Sequence, residues 1–105
     1  VAQQPNLNKM MKQLQEAQTQ MAVEQEKLKT EIVEASAGGG MVTVKITGDQ
    51  QITEVTIDPQ AVDPEDVELL QDMVLAATNE AIRSSQALAE QRMGGIAGGL
   101  GLPGM

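Results

Sequence analysis

The chain has 105 residues, fifteen acids against seven bases for a net charge of −8, and no Phe, Trp, Tyr, Cys or His. That composition excludes thiol and imidazole catalysis, Cys/His metal sites, disulfides and base stacking on aromatic rings. A chain of this length supports one domain, with a core restricted to aliphatic side chains and seven methionines.

In the N-terminal segment, Leu7, Met10, Met11, Leu14, Met21, Leu28 and Ile32 recur near one stripe, with Leu7, Leu14, Met21 and Leu28 in heptad spacing. This predicts a helix over residues 6–29, a rod of about 36 Å. Gln18 and Gln25 interrupt the companion positions of the stripe, which favours packing on the chain's own domain over an extended leucine zipper. Lys9 and Lys12 share one side of this helix near its start, a spacing that fits successive phosphates. Lys12 also faces Glu16 at i+4, so a solvated intrahelical pair is the competing reading. Residues 30–36 fit both a strand and the end of the first helix, and local pattern does not decide between them.

Gly38, Gly39 and Gly40 lack the Lys-Ser/Thr of a phosphate cradle and precede a strand, so they read as a joint. Val42, Val44 and Ile46 then alternate with polar residues, giving one buried and one wet face. Gly48-Asp49 supplies a turn into a second strand over 52–57. There Val55 and Ile57 share a face, but Ile52 is out of step with them, which predicts a bulge or a late strand start. Asp58-Pro59 ends the strand, because proline has no amide proton for the ladder.

Asp63 is placed as the N-cap of a second helix, with Pro64 at its first position and Glu65, Asp66 and Glu68 near the positive end of its dipole. This acidic cluster reads as a helix start, because it lacks an EF-hand pattern. Val67, Leu70, Val74, Ala77, Ala81 and Leu88 form its stripe, alanine-rich in a way that suits close helix–helix approach. The stripe fades near Arg92, and glycine dominates the residues beyond it. The expected division is a folded domain over 1–93 and a disordered Gly-rich tail over 94–105.

Charge is unevenly placed, since the segment between Lys45 and Arg83 contains nine acids and no base. With a Debye length of about 8 Å, an acidic centre need not cancel bases several helical turns away, so the overall charge only weakly opposes nucleic acid. Arg83 and Arg92 are out of phase on one helix. No apolar run approaches the ~20 residues of a membrane span, and no carboxylate pair sits at a spacing that demands a catalytic site. The expectation is a soluble cytoplasmic protein with no enzymatic activity, cofactor, metal, membrane or small-molecule substrate. Two long helices on a small sheet leave apolar stripe that one chain cannot cover, which predicts a homodimer.

Several pieces fall in a recognisable order: Met11-Lys12-Gln13, the Gly38-Gly-Gly joint before Met41-Val-Thr-Val, Val55-Thr-Ile-Asp-Pro59, Leu70-Gln-Asp-Met-Val74 and Ala76-Ala-Thr-Asn-Glu-Ala81. Over residues 7–93 the chain resembles the YbaB/EbfC family of small bacterial nucleoid-associated proteins. The resemblance implies an α+β subunit of order α-β-β-β-α, with a small antiparallel sheet between two long helices and residues 30–36 as a strand. It also implies a homodimer whose helices project like the arms of tweezers, binding double-stranded DNA in the nucleoid, with roles in nucleoid organisation and gene regulation. Lys9, Lys12, Arg83 and Arg92 are the bases expected on DNA, and Val42, Val44, Leu70, Val74, Ala77 and Ala81 the residues expected at the dimer interface. The alternative is a dimeric cytoplasmic module that docks other proteins, in protein biogenesis, through its acidic centre and adaptable methionines.

Overall fold

A computed structural model describes residues 5–99. Helix α1 (Pro5–Leu28) leads into strands β1 (Ile32–Ala37), β2 (Val42–Thr47) and β3 (Ile52–Ile57), then a short 3-10 turn (Pro59–Ala61) and helix α2 (Val67–Gly99). The strands form one antiparallel sheet in the order β1-β2-β3, so residues 30–36 do supply a strand. The molecule is elongated, 79 × 24 × 15 Å.

The alternation in β2 works as its sequence suggests: Val42, Val44 and Ile46 are fully buried against α2. Their partners in β1 are Ala37, Ala35 and Val33, so that strand presents small residues to the same side. On β3 the partners are Ile57, Val55 and Ile52. Ile52 joins that face because the register shifts between Lys45 and Ile46, pairing Lys45 with Glu54 but Ile46 with Ile52. The irregularity inserts Thr53, whose hydroxyl donates to the Lys45 carbonyl at 3.4 Å, and it restores the phase that the sequence breaks.

Helix α2 lies across β1 and β2. Ala77 and Ala81 are fully buried against the sheet, so the alanine stripe brings a helix close to strands rather than to another helix. Gly38 has φ +65, a backbone conformation that calls for glycine, and it packs beneath the flexible Met73 side chain of α2. Gly48 is favoured by proximity alone, because a Cβ would stand 3.0 Å from both the Cβ and the carbonyl oxygen of Leu28. Its amide donates to the carbonyls of Leu28 at 2.8 Å and Glu31 at 3.0 Å, satisfying the end of α1. Next to it, the buried Ser85 hydroxyl of α2 donates to the Thr47 carbonyl at 2.8 Å. The tip of the β2–β3 hairpin thereby ties together α1, the sheet and α2.

Two boundaries differ from the sequence expectation. Asp63 does not cap α2: its carboxylate accepts from the Glu65 amide at 2.9 Å, and its carbonyl accepts from the Asp66 amide at 2.9 Å, closing a turn before the helix. Asp66 is the cap, accepting from the Leu69 amide at 3.3 Å, and α2 starts at Val67. At its other end α2 continues to Gly99, into the segment expected to lack fixed structure. Extending an existing helix avoids the cost of nucleating one, which offsets part of the glycine penalty. The remainder of that tail, residues 100–105, lies outside the described residues.

Candidate functional site

Helix α1 opens with Pro5, whose missing amide proton costs nothing at a helix start, and its first turn contains no acid. From Asn6 to Glu16 every residue is exposed, and Ala17 is the first buried position. This stretch is therefore a free-standing arm about 16 Å long at ~1.5 Å per residue. Leu7, Met10, Met11 and Leu14 are each more than half exposed along it.

Lys9 and Lys12 stand on this arm. Among the described residues neither forms an ion pair, and the Lys12–Glu16 contact suggested by spacing is not made. Every other base is paired: Lys27 with Glu24 at 3.6 Å, Lys29 with Glu26 at 3.0 Å, Lys45 with Glu54 at 3.2 Å, Arg83 with Glu80 at 2.7 Å, and Arg92 with both Glu24 and Glu31. The Glu26 hydrogen bond and charge hold the Lys29 ammonium above the usual lysine range. The unneutralised cations thus coincide with the positive end of the α1 dipole, and the two effects add in attracting an anion.

The four bases expected on DNA are not gathered at one place. Lys9 and Lys12 lie together on the arm. Arg92 of α2 is one-third exposed and meets α1 at Glu24, twelve residues or about 18 Å along the helix from Lys12. Arg83 projects from α2 into solvent and holds Glu80 through both Nε and Nη2, at 3.1 and 2.7 Å. No local signal in the sequence foretells the partners of Arg92, which come from 61 and 68 residues away.

The residues expected at a dimer interface are placed mainly in the subunit's own core. Val42, Val44, Ala77 and Ala81 have no exposed surface, and Leu70 and Val74 pack partly buried against them. Apolar surface open to a partner lies instead on β3, where Ile52, Val55 and Ile57 are 46, 48 and 37% exposed, and at Val62, Val67, Leu69 and Leu75. The β3 residues share the face that α2 covers over the other two strands, but α2 does not extend over them. Alternation shows that β3 has an apolar face but not which strands the helix covers. Among the described residues no group of acids is placed to hold a metal ion, and no helix is long and apolar enough to cross a membrane.

Residues 3–100 match the YbaB/EbfC DNA-binding family. The chain is 54% identical over 99 residues to a nucleoid-associated protein of Moorella thermoacetica, spanning 94% of this chain and 95% of that one. It is 48% identical over 101 residues to another from Alkaliphilus metalliredigens, covering 96% and 89%. Its fold is similar to the crystal structure of an uncharacterized Helicobacter pylori protein, with a TM-score of 0.65 and 28% identity over 83% of this chain and 88% of that one.

Proposed function

Because the chain belongs to the YbaB/EbfC DNA-binding family, we propose that it is a nucleoid-associated protein that grips double-stranded DNA as a homodimer, through the free ends of its two α1 arms. Lys9 and Lys12 contact phosphates, and base edges are not read, so sequence preference is weak and salt dependence strong. The observation that supports this most is the coincidence of the unpaired cations with a projecting helix N-terminus, in a protein whose other bases are all neutralised. Arg83 reaches a phosphate only by leaving Glu80, and so adds little. The corresponding role is nucleoid organisation and gene regulation in the bacterial cytoplasm.

Dimerisation supplies two arms, and it has a physical motive in β3. That strand is a sheet edge exposed along its whole length, with an uncovered aliphatic face, a combination that isolated proteins avoid. A second copy laid on Ile52, Val55 and Ile57 covers it. Sedimentation velocity should show a dimer, and Val55→Asp should shift it to monomer; a wild-type monomer at micromolar concentration overturns this part of the reading.

Gel-shift titration tests the grip. Two copies each of Lys9 and Lys12 give about four phosphate contacts, so log affinity should fall against log salt with a slope of about −4. A flat response overturns the reading. A second reading, docking of another protein, is favoured by the exposed Leu7, Met10, Met11 and Leu14 on the same arm. A protein partner recovered from nuclease-treated lysate, and lost with Met10→Lys, would support it over DNA gripping.

A further inference from the structure

Arg92 occupies a junction. Its guanidinium reaches Glu24 in the last turns of α1 through Nη1, at 3.4 Å, and Glu31, just ahead of β1, through Nη2. The planar fork of arginine suits two carboxylates at once, which a lysine ammonium matches less well. All three side chains are partly shielded from solvent, and the second oxygen of Glu31 is buried with no hydrogen-bond partner among the described residues. Removing Arg92 from this site leaves a shielded carboxylate uncompensated, so the guanidinium is not readily lent to a phosphate.

We propose that Arg92 is a positioning residue for DNA binding and not a DNA contact: by clamping Glu24 and Glu31 it fixes the direction in which the α1 arm leaves the body. The inference rests on the reading that Lys9 and Lys12 meet the phosphates. Nothing from Asn6 to Glu16 is buried, so the direction of the arm is set by what holds its root: Ala17, Leu28, the Gly48 amide and this clamp. From Glu24 to Lys9 is a lever of about 22 Å, and a tilt of ~10° at the root moves Lys9 by about 4 Å. That displacement is as large as the ~3.4 Å of helix axis between phosphates on one strand, enough to lose register with the backbone.

Deleting the two carboxylates separates positioning from contact by the sign of its effect. If Arg92 touched DNA, Glu24→Gln with Glu31→Gln would free it and make an acidic protein less acidic, and binding would tighten. If Arg92 positions the arm, the same variant binds about fivefold more weakly despite its reduced negative charge. Amide hydrogen exchange on the DNA-free protein should also quicken over residues 13–28. Arg92→Gln should weaken binding while leaving the salt slope unchanged, with Arg92→Lys in between, because lysine keeps one of the two ion pairs. Tighter binding of the carboxylate variant, a slope shallower by about 2 for Arg92→Gln, or unchanged exchange overturns the proposal. Lys9→Gln with Lys12→Gln serves as the separate control. Its indifference in the gel shift sinks the reading of the arm as the DNA grip, while hydrogen exchange still decides whether the clamp holds the arm.

Discussion

Where α2 lies on β1 and β2, Val42, Val44, Ile46, Ala77 and Ala81 have lost all contact with solvent, whereas along α1 no residue from Asn6 to Glu16 is buried. The same division holds for charge, since every base of the sheet and of α2 is paired with an acid, and among the described residues the two bases of the arm form no ion pair. In the body, then, side chains are used up by one another. In the arm they are left available, and helical structure there depends on propensity and on its root rather than on packing. An acidic protein can therefore present a locally positive end, because its arm sets Lys9 and Lys12 against a single acid, Glu16, and net charge alone is a poor guide to what it binds.

The contrast is broken most severely from the body side. Ile46→Ala removes a fully buried side chain from the middle of the central strand and should destabilise by about 2–5 kcal/mol, read as a lowered urea midpoint. The molecules that remain folded should bind DNA as before, since the arm is untouched. Lys9→Gln with Lys12→Gln is the converse. It should leave the urea midpoint within about 0.5 kcal/mol while lowering DNA affinity at least about tenfold at low salt and flattening the salt slope. If both variants lost stability and affinity together, the division between body and arm would be wrong.

Much of the body was legible in the sequence, because its signals are local and periodic. Val42, Val44 and Ile46 mark a strand by alternation, and the misplaced Ile52 announces the bulge that the register shows. β1 was not legible from pattern, because its inward positions Val33, Ala35 and Ala37 are mostly small and give a weak period; the family resemblance supplied it. Gly48 was legible as a turn, but not as the point where Leu28 presses on the hairpin, since that contact joins distant segments. The candidate site divided in the same way. Lys9 and Lys12 could be picked from spacing, but their lack of partners and the capture of Arg92 by Glu24 and Glu31 depend on which acids tertiary structure brings near.

The smallest effects sharpen the comparison at the junction between its two parts, where β3 passes into α2. Asp66 and Asp63 are both exposed, and both accept a backbone amide, so composition does not distinguish them. Their duties differ. The Asp66 carboxylate satisfies one of the amides that α2 leaves open at its start, and it stands at the positive end of a helix 33 residues long. Asp66→Ala should cost about 1 kcal/mol. The Asp63 carboxylate only organises a solvated turn, in which water can replace it, so Asp63→Ala should change stability by less than about 0.5 kcal/mol. Paired urea titrations measure the difference directly. Equal costs would mean that the helix begins at Pro64, as its sequence suggests, while a larger cost for Asp66 confirms that the Asp63 turn delays the start of α2.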